Sequence, residues 1–292
     1  MNNYFDNSFI KSFVVNLLAL SIITFSNSAI AFSKKKIVTS IPPVASLIKM
    51  VSGDLFELSI IQKKSSCPHH YSIKPSQIKT IKQADIIIII DNQFETSIAK
   101  FTKQSSANKL ILNNKLNQFK QRNNPKFDSL TKNNRNLHIW LGLDNAESIL
   151  ALVKDFLSQY IDSSEHKEIL EKNYMNARKK IIDLKNKVDS NAKIVFLGHS
   201  LEYFRDDFNT KNLYFPKVKS LKKLNEVSRS IEEFQPNCIV YDDSVNEDLI
   251  SRDFQKYGTV RIDIEQWDIE SHLEDFYTDY ILKFYDSIQK CM

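Results

Sequence analysis

The chain has 292 residues, a formal charge of +5 and 42% hydrophobic side chains. That length is enough for one large core or two smaller ones. The charge is mild and dispersed, and no basic stretch is interleaved with aromatic residues, which argues against nucleic acid as a partner.

Residues 1–31 read as a secretion signal. Lys11 precedes an apolar run from Phe13 to Phe25, and Ala29-Ile30-Ala31 supplies a small-x-small cleavage pattern, placing the cut after Ala31. The run is short of the ~20 residues a membrane span needs, so the mature chain is expected to be soluble and outside the cytoplasm. There, two of the three cysteines Cys67, Cys238 and Cys291 are expected to pair, leaving one thiol over.

Lys36–Ser40 reads as a strand, followed by Pro42-Pro43 opening a helix to about Val51. Leu55–Ile61 reads as a second strand, and Pro75 opens an amphipathic helix to about Gln83. Ala84-Asp-Ile-Ile-Ile-Ile-Ile90 is the strongest strand signal. Its run of isoleucines cannot alternate faces, so both must be buried, as in a central parallel strand. The alternation argues a doubly wound α/β lobe.

Residues 113–137 are rich in Asn and Lys and read as an exposed loop. From Asn145 to about Ser190 apolar residues recur at helical spacing, interrupted at Asp162-Ser-Ser-Glu165 by a break and a capping signal. The second piece, about 25 residues or ~37 Å, is long enough to brace two lobes. Strand candidates then recur at Lys193–Leu197, Cys238–Tyr241 and Thr259–Asp263, with helices over 222–234, 246–257 and 271–289. The chain thus reads as α/β, two doubly wound lobes joined by a long rigid helix. The boundaries are 1–31 for the signal peptide, 32–145 for the N-terminal lobe, 146–190 for the connecting helical segment and 191–292 for the C-terminal lobe.

Open parallel sheets bind ligands outside the carboxyl ends of their strands. His69 lies between a strand and the helix opened by Pro75, His138 ends the polar loop, and His199 follows strand 193–197. Asp263, Glu265 and Asp268 follow the last strand. Three imidazoles and one carboxylate suit a borderline-soft divalent ion, above all zinc. The ligands are widely spaced, and no CxxC or HExxH fixes their geometry. His70, His166 and His272 read as solvated.

Several segments carry a resemblance. Pro68-His69-His70-Tyr71-Ser72-Ile73-Lys74-Pro75-Ser76 is similar to the PHxYxxxPS segment of the periplasmic zinc-binding components of ABC transporters, the cluster A-I solute-binding proteins. Thr39-Ser40-Ile41-Pro42-Pro43 resembles that family's opening strand and turn. His138-Ile-Trp-Leu141 with Asp144-Asn-Ala146 resembles its HxWLDPxNA segment, and Val195 through His199 to Tyr203-Phe204 its VFHDAYGYF segment. The likeness spans about residues 36–290.

The resemblance implies two α/β lobes with metal in the cleft between them, held by His69, His138 and His199 and by an acid after the last strand. The family's LDP loop is replaced here by Arg261-Ile-Asp-Ile-Glu-Gln-Trp-Asp268, which leaves Asp263, Glu265 and Asp268 open, with Glu265 favoured. His199 stands one residue nearer Tyr203-Phe204 than in the family. The resemblance further implies a disulfide between Cys238 and Cys291, a periplasmic location, Zn2+ as the transported ligand, an inner-membrane ABC permease as partner, and a monomer without enzymatic activity. Cys67 reads as a buried small side chain rather than a soft ligand. Imidazoles bind metal when neutral, so affinity is expected to fall below about pH 6. The rivals are a manganese or iron carrier of the same fold, and a zinc-dependent hydrolase, which would need an open water position and a general base.

Overall fold

The structure, a computed structural model, describes residues 34–63, 71–115, 136–187, 192–208, 210–216, 218, 221–265, 267 and 272–292. The expected secretion signal lies outside them, and among the described residues no helix is long and apolar enough to cross a membrane.

The described residues form two four-stranded, wholly parallel sheets. The first contains β1 (Lys36–Thr39), β2 (Glu57–Ile60), β3 (Ile86–Ile89) and β4 (Asn108–Ile111), in the order β2-β1-β3-β4. The second contains β5 (Lys193–Leu197), β6 (Lys211–Phe215), β7 (Cys238–Asp242) and β8 (Gly258–Ile262), in the order β6-β5-β7-β8. Both are wound alike, so each has its switch point between its two central strands, the place outside whose carboxyl ends open sheets of this kind bind ligands. Two of the four edge strands, β4 and β6, together with helix α3 (Thr96–Thr102) and the short α6 (Glu202–Asp206), go beyond the sequence expectation.

The isoleucine run resolves into two faces. Ile86, Ile88 and Ile90 enter the main core, while Ile87 and Ile89 enter a smaller one with Ile81 and Ile98. Ile81 comes from α2 (Pro75–Lys82) and Ile98 from α3. The second sheet repeats this. Ile194, Phe196, Cys238 and Val240 face the main core, and Val195, Leu197, Ile239 and Tyr241 pack outward. Their outer partners include Val227 and Ile231 of α7 (Leu221–Phe234) and Ile250 of α8 (Glu247–Asp253). Alternation along fully buried strands is why a run without polar breaks still has two distinct packing surfaces. Each such isoleucine contributes about 1.5–3 kcal/mol by leaving water.

Between the sheets lie α1 (Pro42–Ser52), α4 (Leu143–Ser158), α5 (Ser164–Lys185) and α9 (Leu273–Cys291), all contributing to one continuous apolar cluster that includes Ile37 and Ile288. Two prolines start α1, where the missing N–H groups are not needed by the helix and φ is already helical. The break expected near 162–165 falls between α4 and α5, and the Ser163 side chain caps α5 by accepting from the His166 amide at 3.4 Å. Helix α5 has 22 residues, about 33 Å, and buries Leu170, Ala177, Ile181 and Leu184 along one stripe. Glu147 of α4 accepts from Arg178 and Lys185 of α5 at 2.6 and 2.8 Å, bracing the pair. The helix expected over 246–257 stops at Asp253, where Phe254 turns inward and is almost fully buried.

Two further ties reach across the core. Asp207, which follows α6, accepts from the Leu143 amide at the start of α4 with both carboxylate oxygens, at 3.0 and 3.1 Å, and from the Tyr285 hydroxyl at 3.2 Å. Burial pushes its carboxyl well above the usual range, against the opposing pull of those donors. Cys238 and Cys291 are disulfide-bonded with Cα atoms 5.5 Å apart, joining the start of β7 to the end of α9. Gly258 stands opposite Cys238 in the β7–β8 register, and a Cβ there would lie 2.4 Å from the Cys291 carbonyl oxygen and 2.9 Å from its sulfur.

Candidate metal centre

His138 comes from one stretch of chain and lies near two residues from separate stretches, His199 after β5 and Glu265 after β8. His138 immediately precedes a 3-10 turn, Ile139–Leu141, that leads into α4. His199 opens a second such turn directly after β5. Glu265 follows β8. The His138 Nε2 lies 3.8 Å from a Glu265 carboxylate oxygen, and both side chains are largely buried. The His138 and His199 rings have centroids 6.3 Å apart at an interplanar angle of 71°. Among the described residues, no group of three or more His, Cys, Asp or Glu side chains is compact enough to hold a metal ion. His69, Cys67 and Asp268 lie outside the described residues. Asp263 is engaged elsewhere, accepting from Arg261 at 2.7 Å. Of the described acids considered after the last strand, it is therefore Glu265 that faces an imidazole.

Packing and hydrogen bonds fix these residues. The His138 ring sits among Phe94 and Trp140, with centroid distances of 5.6 and 5.2 Å, and both neighbours are fully buried. Asn136 accepts from the His138 amide at 3.0 Å, and its Oδ1 lies 2.9 Å from His138 Nδ1. The Asn136 side-chain NH2 donates to the His199 carbonyl at 3.0 Å, and the Tyr203 hydroxyl donates to the Asn136 carbonyl at 2.8 Å. The His199 carbonyl also accepts from Tyr214 at 3.1 Å. The chain around Glu265 is anchored by Tyr280, whose hydroxyl donates to the Ile264 carbonyl at 2.5 Å.

Gly198 and Asp242 set the path of the His199 turn. Asp242 ends β7, is fully buried, and accepts from the Ser200 and Ser244 amides, each at 3.0 Å. Its carboxyl packs against Gly198, where φ is +122° and a Cβ would come within 2.2 Å of it. Only glycine meets both demands. Nearby Asp243 has its carboxyl pushed up by burial and then by the negative charges of Asp242, Glu265 and Asp263. This end of the second sheet is accordingly a place where added positive charge is favoured.

The first sheet presents Glu95 at its switch point. Its carboxylate accepts from the Ser40 hydroxyl after β1 and from the Ile90 and Asp91 amides after β3 at 3.1 and 2.9 Å. Burial raises it from 4.5 to about 7, while those donors pull the other way. Glu95, Asn136, Gly198 and Asp242 were missed by sequence reasoning. The available signals were a glycine directly after a strand in a chain with only 4 glycines, and an aspartate ending a buried strand. The loop reading of 113–137 needs correction at both ends. Asn113 and Asn136 are buried, Asn113 donating to Asp91 at 3.0 Å, while residues 116–135 lie outside the described residues.

The two-lobed arrangement is that of solved periplasmic metal-binding proteins. The periplasmic zinc-binding protein TroA of Treponema pallidum matches with a TM-score of 0.68 at 14% identity, covering 89% of this chain and 99% of that one. The Zn(II)-bound ZnuA-like domain of Streptococcus pneumoniae AdcA matches with a TM-score of 0.65 at 18% identity, covering 89% and 99%. At such identities the likeness establishes the fold. The chain belongs to the ZnuA family, described as zinc-uptake complex component A, periplasmic, whose model matches residues 37–291. Members of this family are metal-binding, substrate-binding components of ABC transporters, and they are not enzymes.

Among individual relatives, the uncharacterized protein RP014 of Rickettsia prowazekii is 29% identical over all of this chain and 97% of its own length. The high-affinity zinc uptake system protein ZnuA of Paracoccus denitrificans is 29% identical over 26% of this chain and only 24% of its own length.

Proposed function

We propose that this protein captures a single Zn2+ in the periplasm and delivers it, as a monomer, to the permease of an ABC importer in the inner membrane. Residues 1–31 direct export. The lobes at 32–145 and 191–292, joined by 146–190, flank the cargo. His69, His138 and His199 supply nitrogen, and Glu265 supplies oxygen.

The observation that carries this reading is the spacing of His138 and Glu265. Two donors at about 2.1 Å from a tetrahedral zinc lie about 3.4 Å apart, and the imidazole Nε2 and carboxylate oxygen are 3.8 Å apart. Two imidazoles on one such ion have centroids about 5 Å apart. The His138 and His199 rings, at 6.3 Å, therefore close by about 1 Å on loading. Zinc is favoured over manganese because the set is rich in imidazole, and manganese prefers carboxylate and water.

Metal-stripped protein titrated with zinc in a calorimeter should bind one ion per chain, and elemental analysis of protein purified without chelator should find zinc. His138→Ala and Glu265→Ala should each weaken binding at least tenfold. Wild-type affinity in both variants, or no binding by the parent, would sink the site. Direct competition between zinc and manganese on one sample separates the two cargoes.

A further inference from the structure

We propose that Asn136 is a positioning residue that selects the tautomer of His138 and couples it to the His199 turn; this rests on the metal-capture reading above. The side-chain amide of Asn136 has one acceptor end and one donor end. The donor end faces the His199 carbonyl, an acceptor only, at 3.0 Å. The other end faces the His138 backbone N–H, a donor only, at 3.0 Å. These two partners leave a single orientation of the amide, with Oδ1 toward His138. That same Oδ1 lies 2.9 Å from His138 Nδ1. An oxygen cannot donate, so Nδ1 must carry the proton in this contact. In the neutral ring the lone pair is then on Nε2, the nitrogen that faces Glu265 at 3.8 Å. Neutral histidine in water favours the opposite tautomer, with the proton on Nε2, which would block that nitrogen as a ligand.

Asn136 is itself held. It is buried, and its carbonyl accepts from the Tyr203 hydroxyl at 2.8 Å. One amide thus orients an imidazole leading into α4 and, at its other end, grips the backbone of an imidazole following β5 in the second sheet. Outer groups that accept from a ligand histidine's far nitrogen typically account for 10–100-fold in metal affinity.

The test uses the full mature chain, free of metal, with its histidines labelled with nitrogen-15. In the parent, the His138 ring should show the Nδ1–H tautomer. Asn136→Ala should shift it toward Nε2–H and weaken zinc binding 10–100-fold. Asn136→Asp keeps an acceptor for Nδ1 but removes the donor to His199, so it should retain the parent tautomer. It also covers the case in which the alanine variant does not fold. A parent ring protonated on Nε2, or an Asn136→Asp ring that loses the Nδ1–H form, overturns the proposal; so does an alanine variant with the parent's tautomer and zinc affinity. Because the tautomer is read without metal, failure of the parent to bind zinc would defeat the cargo assignment while leaving the positioning of His138 separately measured.

Discussion

Replacing Glu95 with glutamine should remove a large part of the pH dependence of stability. The Glu95 carboxyl is 1% exposed, and burial raises it from 4.5 to about 7, even though Ser40, Asp91 and Ile90 all donate to it. In the folded chain this carboxyl therefore keeps a proton that the unfolded chain releases near 4.5. The associated stability is fully present below about pH 4.5 and is lost as pH rises through about 7. At 1.36 kcal/mol per pH unit the interval corresponds to about 3 kcal/mol. Glutamine is isosteric, still accepts from an amide and never ionises, so the variant should be spared that loss.

Urea unfolding of parent and Glu95→Gln at several pH values between about 5 and 8 measures the difference directly. Asp207, also raised by burial, is present in both proteins and cancels. The stability of the variant relative to the parent should climb by about 2.5 kcal/mol across the range. Parallel curves would refute the reasoning, because they would mean that the Glu95 carboxylate stays ionised in the folded chain.

Gly198→Ala should destabilise by about 2–4 kcal/mol, combining a positive φ with an overlap on the Asp242 carboxyl. It should also weaken zinc binding by moving the His199 turn, which calorimetry on the folded variant will show. Cys291→Ser should lower stability by about 4 kcal/mol, the chain-entropy value for a closed loop of 53 residues, and reduction of the parent should have the same effect in urea titrations. Asp207→Ala leaves the Leu143 amide without its acceptor at the start of α4 and should cost about 1–3 kcal/mol, read by thermal unfolding.

What the sequence revealed followed from how completely each element is buried. The central strands β3, β5 and β7 are apolar along their middles because both faces are covered, with only Lys193 and Asp242 at their ends breaking the pattern, and each was found within a residue or two of its bounds. The edge strands β4 and β6 have exposed residues, Asn108 and Lys109 in one and Lys211 in the other, and their pattern resembles a loop. Helix α5 was visible from its stripe and its cap. Its end at Lys185 falls short of the expected Ser190, since nothing in Asn186-Lys-Val188 breaks the pattern locally.

The individual ligand candidates stood out as histidines and an acid beside predicted strands. Their mutual distances depend on a helix pair and on the three crossovers from β5 to β8, which no local pattern encodes. Asn136 was invisible for a related reason. In a stretch rich in asparagine, nothing marks the one whose two ends are both spoken for.

The unbroken apolar cluster between the sheets sets how the molecule comes apart. Residues from α1, α4, α5 and α9 share that cluster with inward side chains of both sheets, and residues 35–292 form one compact unit. Each half keeps a smaller outer cluster of its own, but its larger interior is shared with the other and would be laid open by the other's removal. Melting should accordingly be a single concerted event, and separately expressed halves should not fold. An ion gripped by a few side chains at one edge would then stabilise the entire body, by a free energy set by its concentration and affinity.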